Sequence, residues 1–342
     1  MLGDDDDDES SNDENEVQGG FSIPPKEMAK LFIMLLKEDS SESDQTAGSL
    51  MLLPGIDRMA KDQHYARRLA DKLVSSGFAE KYRHKLKKHM TELQSCNDEM
   101  QHFSQTCPFF MFTVMFSSLV SLACGVSDEF CATIVANKVH IDLLDCLLMD
   151  VFNPKRVHVN ETVWQQIVIL YIGVLFSMVR KSDEAIADLR GSRAVDVLQP
   201  FAECKYNTLS PTALVVQAYL VTEEENYKIC SNADMFQLLV STLRLLVHEG
   251  TIQDVMGYAS QTLPYIEAIN KLAVNDSNKK KLVEVGALPY YVRLLQPDRP
   301  DVEQEAAAHG LWIIAFRCKQ SIKNEPGCID GKRLISAGYI PY

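Results

Sequence analysis

The chain has 342 residues, is 46% apolar and 24% charged, and carries a formal charge of −13. That is an ordinary globular balance, with room for two domains or one long repeat array. Nine of its acids (Asp4 to Asp8, Glu9, Asp13, Glu14 and Glu16) fall in the first sixteen residues, which hold no base; removing those nine charges leaves only −4, so overall charge gives no argument for nucleic acid.

Residues 1–20 read as an acidic disordered tail, because such a tract cannot bury enough apolar surface to offset the entropy of ordering it. Acids stand where a secretory signal would carry Lys or Arg, so no signal peptide is expected. Nine cysteines are scattered without a C-x-x-C pair, the usage of a reducing compartment. The expected location is the cytoplasm, with the nucleus left open.

Apolar residues then recur at spacings of three and four in stretch after stretch, the mark of amphipathic helices. In chain order the expected helices are Pro25–Lys37, Ile56–Ser75, Phe78–Leu93, Pro108–Cys124, Asp128–Ala136, Ile141–Val151 and Val163–Arg180. Pro211–Leu220, Met235–His248, Tyr258–Ala273, Lys279–Val285, Pro289–Leu295 and Val302–Phe316 follow. No sustained alternation and no Asn-Gly or Asp-Gly hairpin turn argues for strands. Phe109–Val126 and Val163–Val179 carry no charge and sit at the lower length limit for a membrane span. Helices buried in an all-α protein read the same way, so no span is expected.

The helices repeat. Glu267–Asn275 aligns with His309–Arg317 at an offset of 42, with Ala268 on Gly310 and Ala273 on Ala315. Between the copies come a polar joint, a short helix, Gly286, a helix opening at Pro289, and a Pro/Asp joint at Pro297–Asp301. Gly286 suits a left-handed helix end, and Pro289 suits a first helical turn. Gly-x-apolar-Pro-Tyr occurs at Gly286–Tyr290 and again at Gly338–Tyr342, where the chain stops. Fainter copies lie at Ser127–Leu148, with Asn137 in the capping position, and at Glu223–Leu246, with Asn232 there.

Short helix, Gly, Pro-started helix and long helix in about 42 residues resemble the armadillo repeat, over about fifty residues at good quality. The resemblance implies an all-α fold, an α-solenoid of armadillo-like helical repeats. It places such repeats over 101–342, the last incomplete, after a helical region at 21–100 to which no repeat is assigned. The run Gly310–Phe316 followed by Glu325–Ile329 is similar to armadillo arrays of large invertebrate proteins that also carry a TIR domain.

Candidate sites are few. The segment Arg58–Met90 holds ten Lys or Arg against three acids. Arg67, Arg68, Lys81, Arg83, Lys85, Lys87 and Lys88 form the candidate patch for an acidic partner, anionic lipid or nucleic acid, or for the chain's own acidic tail folding back, or else the solvated face of amphipathic helices whose buried stripe is Leu69, Leu73, Phe78, Tyr82 and Leu86. A Trp/Asn ladder of the kind used to bind nuclear-localisation peptides is missing, since Lys271 and Ile313 stand where the Asn would fall. No phosphate loop, nucleophile elbow or metal spacing appears, and the spacing of Cys107, Cys124 and His140 supports no thiol–imidazole pair. The reading is a non-enzymatic scaffold or adaptor binding protein partners, with no cofactor, no metal, no small-molecule substrate and nucleic acid disfavoured. The competing reading is the regulatory array of a longer TIR-type signalling enzyme.

Overall fold

The computed structural model describes residues 23–37, 42–95, 108–156, 160–206, 208–225, 233–249 and 262–326. The acidic segment, Cys96, Cys107, Cys230, Asn232, Cys328 and the Gly338–Tyr342 motif lie outside them. Among the described residues there are sixteen α-helices, one 3-10 turn and no strand. The helices are α1 (Pro25–Leu35), α2 (Glu42–Lys61), α3 (Gln63–Ser75), α4 (Phe78–Ser95), α5 (Pro108–Val126), α6 (Asp128–Ala136), α7 (Val139–Leu148) and α8 (Glu161–Val179). Then come α9 (Asp183–Gly191), α10 (Ala194–Ala202), α11 (Leu209–Leu220), α12 (Ala233–Glu249), α13 (Thr262–Ala273), α14 (Asp276–Glu284), α15 (Leu288–Leu294) and α16 (Asp301–Asn324).

Four repeats start with the same two devices. A side chain caps the first helix: Asp62 accepts from the Tyr65 N–H, Ser127 from Phe130, Ser182 from Ala185 and Asn275 from Ser277. Thr222 and Glu225 form a reciprocal capping box, each side chain accepting from the other's backbone N–H. Such contacts satisfy orphan N–H groups at about 1 kcal/mol each. A left-handed residue then ends the first helix: Gly77, Lys138, Arg193 and Gly286, with φ of 66, 56, 59 and 79°. This residue lets the second helix leave at a steep angle.

Grouped by these signals, the helices fall into triples: α3–α4–α5, α6–α7–α8, α9–α10–α11 and α14–α15–α16. Of a further unit, the described residues hold α12 and α13 in the second and third positions. The third helices stack in one row, α5 on α8, α8 on α11, α11 on α13 and α13 on α16, and α2 heads the row by packing on α5. Second helices stack behind them, α4 on α7 and α7 on α10, then α12 on α15. The core therefore runs continuously between repeats, as in a solenoid.

Side chains of each repeat fill the gap to the next. Phe78 and Tyr82 of α4 stack with Phe112 and Phe116 of α5, and Phe78 meets Phe130 of α6 at 5.8 Å. Phe32 of α1 closes that cluster edge-on to Phe116 at 5.7 Å. Each fully buried ring of this kind contributes roughly 1.5–3 kcal/mol. The two uncharged stretches are the row helices α5 and α8, each 72% buried among neighbouring helices. Their lack of charge follows from having helices on several sides.

Three sequence expectations are corrected. Ile56–Ser75 is the end of α2, a helix that already starts at Glu42, and the whole of α3, broken where Asp62 leaves helical geometry (φ −126°) to cap α3. The helices α9 and α10 were not expected. Asn137 has an ordinary φ of −79°, and the left-handed position falls one residue later, on Lys138.

Candidate functional site

The row of third helices leaves one stripe of each helix uncovered. One stripe of α8 leaves Gln165, Ile169, Gly173 and Phe176 partly exposed and runs on to exposed Arg180 at its end; one of α13 leaves Leu263 and Glu267 partly exposed and Lys271 exposed, and runs on to Val274. Steps of three and four keep each set on one helix face. Both neighbours in the row and the second helices behind cover the other faces, so these stripes lie on the face of the row turned away from the second helices, called here its inner surface.

At its centre five side chains from three successive row helices meet. Arg180, the residue that closes α8, donates Nε–H and an Nη2–H to Glu267 of α13, at 2.9 and 3.0 Å. Tyr219 of α11, lying between them, donates its hydroxyl to the same carboxylate. The Phe176 ring meets Tyr219 edge-on at 5.9 Å. The Arg180 guanidinium lies 5.6 Å from the Phe176 centroid, and the Lys271 ammonium 4.6 Å from that of Tyr219. Burial, reinforced by the bond to Glu267, pushes the Tyr219 hydroxyl well above its ordinary pKa, keeping it a donor. Burial disfavours the Arg180 charge, yet the Glu267 bond and charge outweigh it, and the guanidinium is held above its usual range. The Arg180 and Glu267 side chains remain 29% and 28% exposed.

The surface continues onto α16, where Trp312 lies between His309 (5.9 Å, nearly parallel) and Phe316 (4.8 Å, edge-on). Phe316 is 67% exposed. Beneath this end Asn270 of α13 accepts from the Tyr291 hydroxyl and donates to the Ala306 carbonyl, both at 2.8 Å. Gly310 permits that contact, because a Cβ there would overlap Asn270 Oδ1 and the Tyr291 ring.

The residues singled out from sequence lie elsewhere, on the outer helices α3 and α4. Arg83 reaches Asp142 of α7 at 2.6 Å with Lys87 3.6 Å away, which ties two second helices together. Lys85 is buried. The Arg67 Nε–H donates to the Val126 carbonyl and Lys81 to that of Ser76. Arg68 and Lys88 are exposed. Sequence reasoning missed the inner cluster altogether, since Arg180 and Glu267 are 87 positions apart and carry no motif.

Among the described residues no group of His, Cys, Asp or Glu is arranged to hold a metal ion. Cys124, Cys131 and Cys146 are buried free thiols. His140 is turned to the Asp188 carboxylate at 2.9 Å, not to a thiol.

A capped first helix, a left-handed corner, a second helix and a long stacked third helix make up the armadillo arrangement. The fold is armadillo-like. No family model matches the chain, and no curated protein matches it. Solved structures similar to it include an engineered protein, 16% identical, covering 86% of this chain and 97% of its own, with a TM-score of 0.48. A designed armadillo repeat protein is 14% identical, covers 84% of this chain and 99% of its own, and has a TM-score of 0.47. A second design, solved with the peptide (KR)4, is 16% identical over 86% of this chain and 100% of its own, with a TM-score of 0.44.

Proposed function

We propose that the chain is a non-catalytic scaffold that binds a segment of a partner protein along the inner surface of its helical row. The supporting observation is the Phe176–Arg180–Tyr219–Glu267–Lys271 cluster. Aromatic and Arg side chains, held by one another and still partly exposed, are the kind that dominate binding energy at interfaces. Their mutual bonds pre-set their rotamers, which lowers the entropy lost when a partner docks. Free buried thiols fit a reducing compartment, so the cytoplasm is the proposed location.

The test is affinity capture with the full chain and with the double variant Phe176→Ser, Lys271→Glu, at matched thermal stability. Partners held by the native chain and lost by the variant support the reading; identical partner sets overturn it.

A finer reading, the regulatory array of a longer TIR-type enzyme, is favoured by the Gly310–Phe316 resemblance. It uses the same surface and differs in what is joined to it. Transcript sequence beyond Tyr342 tests it: a TIR-like segment supports it, and a stop codon there refutes it.

A further inference from the structure

The outer face of α3 and α4 carries a charge excess that the inner-surface function does not use. Arg67, Arg68, Lys72, Lys81, Lys87 and Lys88 are exposed on these two helices, against their exposed acids Asp71, Glu80 and Glu92 and two exposed acids of neighbouring helices, Asp128 near Arg67 and Asp145 near Lys87; Arg67 and Lys81 also donate to the Val126 and Ser76 carbonyls. Arg68 and Lys72 are one turn apart, and Lys81 and Lys88 two turns apart, so each pair shares a helix face. The Lys87 ammonium shares the Asp142 carboxylate with Arg83, at 3.6 Å, and is still half-exposed.

The chain enters the described structure beside this face. The Tyr65 hydroxyl, in the first turn of α3, donates to the Ile23 carbonyl at 3.1 Å. The Arg58 guanidinium lies over the Tyr65 ring, 4.3 Å from its centroid. The residues before Ile23 therefore start at the end of the basic face. They include nine acids and no base between Asp4 and Glu16.

The lengths match. At about 3.5 Å per extended residue, Glu16 reaches roughly 25 Å from Ile23 and Asp4 roughly 65 Å. At 1.5 Å per residue, α3 is about 20 Å long and α4 about 27 Å. Tethering also keeps the acidic segment at an effective concentration on the order of millimolar beside the face.

We propose that acidic residues 4–16 dock on the basic face of α3 and α4 of the same chain, and so withhold that face from other polyanions. The contact is electrostatic and weakens with salt, as the screening length falls from about 10 Å at 0.1 M to about 3 Å at 1 M. It is independent of the inner-surface binding proposed above.

Zero-length carbodiimide cross-linking of the full chain, read by peptide mass spectrometry, tests it. Expected are links from the acids at 4–16 to Lys72, Lys81, Lys87 and Lys88, lost in 1 M NaCl. Links directed to Lys26, Lys280 or Lys323 instead, or none from the acidic segment, overturn the proposal. An equal mixture of isotopically heavy and light chains must give links within copies; links between copies overturn it in favour of docking between two molecules. As a second readout, the variant with Asn or Gln at all nine acidic positions should elute from heparin resin at higher salt than the native chain. Further charge reversal at Arg68, Lys72 and Lys88 should abolish that gain. Equal elution of native chain and neutralised variant contradicts the proposal.

Discussion

Arg180 and Glu267 form a two-pronged ion pair across an intervening helix, with Tyr219 of that helix bonded to the same carboxylate. One carboxylate thereby locks three row helices into register. Two hydrogen bonds to a charged group would be worth more if buried, but partial exposure screens them. A double-mutant cycle on Arg180→Ala and Glu267→Ala in urea should give a coupling of about 1 kcal/mol. A coupling near zero would reduce the pair to a surface contact.

Two glycines on row helices should respond in opposite directions. Gly310→Ala puts a methyl into the Asn270–Tyr291 contact, and overpacking of this kind costs about 1–3 kcal/mol. Gly173→Ala on α8 meets nothing within 4 Å and should stabilise by about 0.5–1 kcal/mol, the helix-propensity difference. Urea midpoints of both variants check the contrast.

The left-handed corners make a second opposed pair. Gly286→Ala forces a Cβ into φ 79° and should destabilise by about 1–2 kcal/mol. Arg193 already bears that strain at φ 59°, so Arg193→Gly should lose nothing or gain up to about 1 kcal/mol despite the added chain entropy. Thermal melts of the two variants decide this.

Acid should loosen the joint between α7 and α9. His140 faces Asp188, Lys138 and Glu184, and burial, its largest influence, lowers its pKa below 6.5. The folded chain therefore binds its proton less readily than the unfolded chain. Stability from this group is fully present above about pH 6.5 and is lost as pH falls towards the lowered folded value. His89, lowered chiefly by burial as well, acts in the same sense. Melting temperature should fall between pH 7 and 5, and His140→Gln should flatten the slope.

The helical repeat was legible because its signals are local. Gly286 and Pro289 announce a corner by backbone chemistry alone. The corners at Lys138 and Arg193 are hidden, because these residues accept strain that a neighbouring cap and packed helices impose. The helix α9 is short, with only Ala185 and Leu189 buried, so its apolar pattern is too thin to read. Ser182-Asp-Glu repeats the Ser127-Asp-Glu opening of α6 and was the available clue. The break at Asp62 was masked by apolar spacing that runs on across it from Ile56 and Met59 to Tyr65 and Leu69. The inner cluster had no signal at all, because it exists only once α8, α11 and α13 are stacked. The conspicuous basic run, by contrast, lies on the outer helices, with Arg83 tied to the next repeat.

Site-specific photo-cross-linking tests the central claim most directly. A benzophenone amino acid is placed at Phe176 or Lys271 on the inner surface, or at Leu148, which is 61% exposed on the outer row. The account predicts that the inner positions capture the same partner segment and that position 148 does not. Capture from 148 with none from 176 or 271 would contradict it.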